Sequence, residues 1–205
     1  MNNEIISNKV FLMGKINSLP EYSHELFGEG FYEFTLSVPR LSEISDIIPI
    51  TVSERLLGEV DMTLGAIVAL NGQFRSYNKI VDEKSKLMLT VFVREFVALP
   101  VEETNPNSIE LCGYVCKPPV YRTTPFNREI CDMLIAVNRA YNKSDYIPCI
   151  AWGRNARFVK GIEVGQKLLV SGRIQSRNYN KKISEEISEV RVAYELSVNK
   201  IQLID

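Results

Sequence analysis

The chain has 205 residues, of which 45% are hydrophobic and 24% charged. This composition excludes a disordered tail and a collagen-like repeat, and the length suits one large domain or two of about 100 residues each. No stretch is long and apolar enough to span a membrane, and the N-terminus lacks the regions of a secretory signal, so we expect a cytoplasmic protein. One histidine, His24, and four cysteines without a signal peptide predict reduced thiols and no metal site.

Charge is distributed unevenly between the two halves of the chain. Residues 1–104 carry 9 Lys and Arg against 15 Asp and Glu, a net of −6, whereas residues 105–205 carry 15 against 10, a net of +5. A basic half inside a chain of net charge −1 indicates a polyanionic partner for that half. Random drift of the surface charge is the alternative interpretation.

The two halves also resemble each other in sequence. A shift of 99 residues matches four alternating positions, placing Val10, Leu12, Gly14 and Ile16 on Ile109, Leu111, Gly113 and Val115. A shift of 100 matches Gly72 with Gly172 and Ser76 with Ser176. Self-similarity at this period predicts two copies of one domain, at residues 1–101 and 107–205, with a polar linker at 102–106.

Each copy is predicted to contain five strands and one short helix. In the second half, apolar alternation and turn residues predict strands at 109–115, 131–137, 146–152, 167–175 and 191–202, with a helix at 154–160. Five strands with a helix between the third and fourth is the order of the OB-fold, a five-stranded Greek-key barrel. The predicted fold class is therefore all-β, with two tandem OB-folds.

Two predicted strands of the second half have an unusual exposed face. Alternation places Tyr146, Pro148, Ile150 and Trp152 on one side of the third strand, opposite an apolar side. On the fourth strand, Arg173, Gln175, Arg177 and Tyr179 share one side. A face that mixes aromatic and basic side chains is typical of a surface that stacks bases and neutralises phosphates. The alternative is that Tyr146 and Trp152 are ordinary core residues.

Five segments of the second half, in order, carry a resemblance to a known family. They are residues 107–113, 119–125, 135–141, 150–154 and 170–179. Together they resemble the OB-fold domain of the bacterial single-stranded DNA-binding proteins. The resemblance implies sequence-independent binding and protection of single-stranded DNA in replication, recombination or repair, in association with the nucleoid and without catalysis or cofactor.

The resemblance also implies which side chains contact DNA. The stacking aromatics are Tyr141, Tyr146, Trp152 and Tyr179, and the basic contacts are Arg122, Arg139, Arg154, Arg173 and Arg177. Arg154 could instead cap the helix or form an ion pair with it. Because barrels of this family act in fours, a chain with two barrels is expected to form a homodimer.

The first half departs from the family where the binding residues should be. Ser23, Ser42, Ile47 and Ser53 stand in register with Arg122, Tyr141, Tyr146 and Trp152. The candidate weaker contacts that remain are Arg40, Arg55, Arg75, Tyr77 and Lys79. We therefore predict that the first barrel binds weakly and serves mainly in assembly.

A second functional class stays open at this point. The chain ends at residues 202–205, directly after the last predicted strand, whereas the family usually carries a tail with an acidic tip that recruits other proteins. Recruitment of replication partners through such a tail is therefore not expected. The alternative function is a primosome-type adaptor whose barrels act mainly through protein contacts.

Overall fold

The computed structural model describes residues 7–42, 44–81, 83–101, 105–182 and 188–204. Residues 102–104 of the predicted linker lie outside these ranges. The elements of the first half are β1 (Asn8–Ile16), β2 (Glu21–Leu26), β3 (Glu29–Pro39), β4 (Ser45–Ser53), α1 (Glu54–Leu57), β5 (Ile67–Val81) and β6 (Lys84–Val97). Those of the second half are β7 (Asn107–Val115), β8 (Val120–Thr123), β9 (Glu129–Arg139), β10 (Lys143–Trp152), α2 (Arg154–Val159), β11 (Lys167–Lys182) and β12 (Ser188–Ile204).

The predicted all-β class and strand order are confirmed. Each half has its short helix between the predicted third and fourth strands, which are β4 and β5 in the first half and β10 and β11 in the second. The structure adds a short strand to each half, β2 and β8, and extends the last two strands of each half into a long hairpin. No helix within the described ranges is long and apolar enough to cross a membrane.

Alternating burial explains why these segments form strands that close into barrels. In β9, every second residue from Cys131 to Val137 is buried, which is the pattern of a strand with one face on the core. Within each half the sheet closes on itself, because the first strand pairs with two neighbours, β1 with β3 and β5 and β7 with β9 and β11. This double pairing needs glycine: a Cβ on Gly113 would lie 2.5 Å from the Ala136 carbonyl oxygen.

The two barrels join through antiparallel pairing of β1 with β7. Val10 lies opposite Ile109, its own counterpart in the repeat, so an approximate two-fold axis passes between these residues. Equivalent asparagine hydrogen bonds lie on both sides of this axis. The Asn8 amide donates to the Phe74 carbonyl oxygen at 2.7 Å, and the Asn107 amide donates to that of Ile174 at the same distance. All twelve strands thus belong to one hydrogen-bonded sheet.

Candidate nucleic-acid interface

Three of the predicted stacking aromatics of the second barrel lie on strand faces opposite its core. Tyr146 is 45% exposed, Trp152 38% and Tyr179 37%, whereas Ile147 and Cys149 on the other side of β10 are buried. The prediction of two distinct strand faces is therefore correct for the aromatics, and the alternative that they are core residues is not supported. Ile150, which was predicted on the exposed face, is only 3% exposed.

Two of these aromatics are positioned by neighbouring strands. The Trp152 indole Nε1 donates to the Ser197 hydroxyl at 3.3 Å, and β12, which carries Ser197, pairs with β10 in parallel. The Tyr146 backbone N–H donates to the Ser76 hydroxyl of the first half at 2.7 Å. The aromatic face of β10 is thus held against both β12 and the long hairpin of the other barrel.

Three of the predicted basic residues lie on exposed surface of the second half. Arg122 donates to the Asp132 carboxylate at 2.8 Å, and Arg177 lies 3.4 Å from that of Glu195. Arg154 is exposed and forms no ion pair with any described residue, and Gly153 rather than a polar side chain caps α2. Neither alternative role for Arg154 is therefore observed.

Arg40 and Arg173 lie at one end of the junction between the barrels, beside the fully buried Asp46. Arg40 donates to both carboxylate oxygens at 2.6 and 2.8 Å, and the Ser176 N–H donates at 2.7 Å. Arg173 approaches to 3.4 Å. Burial by itself would raise the pKa of Asp46, but the hydrogen bonds from Arg40 and Ser176 outweigh it and the pKa is lowered.

Arg139 lies at the other end of the junction, beside the equally buried Asp145. The Ser76 N–H donates to one carboxylate oxygen at 2.8 Å, while Arg139 Nε lies 3.1 Å from the other without hydrogen-bond geometry. Burial raises the pKa of Asp145, and the Ser76 hydrogen bond and the charges of Arg139 and Arg75 offset only part of that effect. Arg40, Arg139 and Arg173 thus lie at the junction. Arg173 also lies opposite Ser197, the residue that the Trp152 indole contacts.

In the first barrel, two candidate contacts, Arg55 on α1 and Tyr77 on β5, are paired with glutamates of β3. Arg55 forms an ion pair with Glu29, and the Tyr77 hydroxyl donates to Glu33 at 3.3 Å. Ser53, the counterpart of Trp152, accepts a hydrogen bond from the Arg55 N–H and begins α1. The counterpart of the predicted stacking residue Trp152 is therefore a helix cap, and a glutamate contacts each of Arg55 and Tyr77.

One position of the sequence alignment is corrected by the structure. Arg122 pairs with Ile130, and the counterpart of Ile130 is Phe31, which pairs with His24. Ser23 is the extra residue of a bulge between Tyr22 and His24. The counterpart of Arg122 is therefore His24, whose ring stacks on Phe31 with a centroid distance of 5.1 Å. A constant shift could not detect an inserted residue in a strand that is exposed along its whole length.

Comparisons with known proteins agree with this arrangement. The model of the single-strand binding protein family matches residues 106–204. Single-stranded DNA-binding protein 1 of Staphylococcus aureus is 36% identical over 80 residues, which cover 36% of this chain and 48% of that protein. Single-stranded DNA-binding protein 3 of Streptococcus agalactiae is 32% identical over 100 residues, which cover 43% of this chain and 70% of that protein.

A solved structure extends the similarity to both halves. The single-stranded DNA-binding protein of Thermus aquaticus superposes with a TM-score of 0.74 at 17% identity, covering 97% of this chain and 93% of that one. At this identity the match concerns the fold alone. This chain spans about half the length of the Staphylococcus aureus relative. The sequence matches across the second half show that the chain belongs to the bacterial single-strand binding protein family.

Proposed function

We propose that this protein binds and protects single-stranded DNA without sequence preference, during replication, recombination or repair, and that the second barrel does most of the binding. The observation that carries the proposal is the partly exposed aromatic set Tyr146, Trp152 and Tyr179 on one barrel of net positive charge. The names of its curated relatives, which are single-stranded DNA-binding proteins, support the proposal.

In this proposal, aromatic stacking and charge neutralisation make separate contributions to DNA binding. A base stacked on an aromatic ring contributes about 1–3 kcal/mol and does so for any base, because every base has a π-face. Arg122, Arg154 and Arg177 neutralise phosphates around the rings. Arg122 already contacts the partly exposed Asp132, but an exposed ion pair contributes little, so exchanging that carboxylate for a phosphate costs little. Arg177 contacts the buried Glu195, which also accepts a hydrogen bond from Gln175.

The first barrel has a different role in the proposal. Its Arg55 and Tyr77 contact Glu29 and Glu33, and its half of the chain has a net charge of −6, which repels a polyanion. We assign it mainly to assembly, through the strand pairing of β1 with β7.

The oligomer belongs to the same proposal. Two chains would bring four barrels together, so sedimentation should give about twice the chain mass of 23.3 kDa. A mass of one chain at micromolar concentration would contradict this part of the proposal.

A fluorescence titration tests the proposed DNA binding. Trp152 is the only tryptophan, so the emission reports on the proposed site. Oligo(dT) should quench this emission, and the affinity should fall steeply between low and moderate salt as neutralised phosphates release counterions. A Trp152→Phe variant, followed by the anisotropy of a labelled oligonucleotide, is the control, because it should bind without the tryptophan signal. An adaptor that acts through protein contacts would give neither quenching nor an anisotropy change.

A further inference from the structure

A cavity of about 460 Å³ opens between the two barrels at the Asp145 end of the junction. The first half contributes Phe27, Arg75 and Arg94 to its wall, and the second half contributes Arg139, Tyr141 and Lys143. Four of these side chains are basic, and none of the described residues that line the cavity is acidic. The cavity is therefore a concentration of positive charge to which both barrels contribute.

The buried basic groups at this cavity are only partly satisfied. Arg75 and Arg94 both donate to the Gln73 side-chain oxygen, at 2.8 and 3.3 Å. Among the described residues, the buried side-chain nitrogen and oxygen atoms without a hydrogen bond all lie at this end of the junction, and they are Arg75 Nε, Arg139 Nε and Asp145 Oδ2. The Arg75 guanidinium lies 3.8 Å from the centre of the Phe92 ring. Burial, followed by the charges of Arg94 and Arg139, lowers the pKa of Arg75 to about 10. An anion in the cavity would offset the repulsion between these positive charges and would accept hydrogen bonds from exposed basic groups such as Lys143.

Two exposed aromatic residues border the same cavity. Phe27 is 99% exposed and Tyr141 94% exposed, and each lies in a turn with a positive φ, of 52° and 61° respectively. Bulky side chains rarely adopt this backbone conformation, which costs free energy and is found preferentially at ligand sites. The two turns thus present aromatic rings to solvent at the cavity.

The opposite end of the junction lacks most of these side chains. The counterparts of Arg75, Tyr141 and Lys143 are Gln175, Ser42 and Ile44. Gly72 pairs with Val93 and Gly172 with Val198, so the residue that corresponds to Arg94 is the neutral Asn199. Gln175 is already hydrogen-bonded to Glu195 at 2.8 Å. Arg75, Arg94, Tyr141 and Lys143 are thus specific to one end and are not required to join the barrels. Phe27 is not, because its counterpart in the second half is Phe126, which is 86% exposed.

We propose that this cavity is a second DNA contact, in which Arg75, Arg94 and Lys143 bind a phosphodiester of the strand while Phe27 and Tyr141 stack on neighbouring bases. The inference rests on the proposed function, because the strand must first be bound by the second barrel. It assigns the first barrel a direct part in DNA binding through Arg75 and Arg94, which the repeat does not share.

A relocated tryptophan tests this contact directly. In a Trp152→Phe background, Phe27→Trp places the only tryptophan at the cavity. When a labelled oligo(dT) of about 35 nucleotides binds, the anisotropy of its label should rise and the emission of this tryptophan should fall. Binding by anisotropy with unchanged tryptophan emission would overturn the inference and leave the proposed function intact. If the wild-type chain bound no DNA by anisotropy, the proposed function would fail, and the inference with it.

Charge variants give an independent measure. Arg94 and Lys143 are exposed, so Arg94→Gln with Lys143→Gln should keep the fold, which the melting temperature checks. On a single strand, each lost phosphate contact reduces the slope of log K against log salt concentration by about 0.7 in magnitude. The double variant should therefore lose about 1.4 of that slope. Lys9→Gln with Lys15→Gln on β1 removes the same charge outside the cavity and should leave the slope unchanged. Equal slopes for the cavity variant and the wild type would contradict the proposal.

Discussion

Asp46 and Asp145 occupy equivalent buried positions at the two ends of the barrel junction, but their surroundings differ. Asp46 accepts hydrogen bonds from Arg40 and Ser176, and its pKa is lowered. Asp145 accepts one from Ser76, has an unpaired oxygen, and its pKa is raised. The repeat therefore preserves the backbone arrangement and not the side-chain network. One end is closed by hydrogen bonds, and the other is left open and basic.

Replacing the two aspartates one at a time should separate their contributions to stability. Asp46→Asn should lower the free energy of unfolding by about 3 kcal/mol, because removing one partner of a buried ion pair leaves the other charge unsatisfied. Asp145→Asn should lower the free energy of unfolding by less than about 1 kcal/mol. The amide oxygen still accepts the hydrogen bond from the Ser76 N–H, and a poorly paired buried charge is removed. Urea unfolding measures both, and equal losses would show that the two ends are equivalent after all.

The two barrels should differ in their contribution to DNA affinity. Trp152→Ala should weaken binding of labelled oligo(dT) by about 1–3 kcal/mol if a base stacks on the indole. Tyr77→Ala in the first barrel should change it by less than about 0.5 kcal/mol, because this ring is next to Glu33. Melting temperatures of both variants serve as the control. A loss of stability with unchanged affinity for Trp152→Ala would identify the indole as structural instead.

Arginines at the junction and on the binding face should respond in opposite ways. Arg40→Gln should destabilise the fold by about 1–3 kcal/mol, because Asp46 loses its charged partner. Arg122→Gln should leave stability within about 0.5 kcal/mol and lower the slope of the salt dependence by about 0.7. Thermal unfolding and salt-dependent titration of the two variants measure this, and an Arg40→Gln variant that lost only DNA affinity would contradict the division.

The smallest expected effect is a difference in pH dependence between the aspartates. The charge of Asp145 opposes folding at neutral pH, and this cost disappears as the pH falls through its raised pKa toward the ordinary 3.8. The stability of the wild type should therefore rise relative to that of Asp145→Asn over this range. Asp46 contributes stability above pH 3.8 that is lost only as the pH falls through its lowered pKa. Urea unfolding measured from pH 7 to 3 checks both expectations. Parallel plots of unfolding free energy against pH for Asp145→Asn and the wild type would contradict the expectation for Asp145.

The fold was largely predictable because its signals are local. Alternation in segments such as 131–137 and the shift of 99 residues predicted the strands and the repeat, and burial in β9 follows that alternation. The strand β2 gave no such signal, because all six of its residues are exposed. The hairpin arms beyond residue 175 likewise leave the core, so their strands are longer than predicted.

The candidate site was predicted in part, because its remainder depends on contacts between distant residues. The exposed face with Tyr146 and Trp152 follows from alternation within one strand. The position of Arg40 does not, since its Asp46 partner also binds Ser176, 130 positions further along. The junction cavity escaped prediction for the same reason, because Phe27, Arg94 and Lys143 come together only when β1 pairs with β7.

The pairing of β1 with β7 has a consequence for how such a protein can change over time. When two identical chains meet about a two-fold axis, each substitution appears at both ends of the interface, because the same patch faces itself. Here the axis lies between Val10 and Ile109 of one polypeptide, so each end is encoded separately. A single mutation can add a charge at the Asp145 end while the Asp46 end stays as it was. Joining two copies in one chain thus permits a lopsided interface that a dimer of identical single-barrel subunits could not maintain.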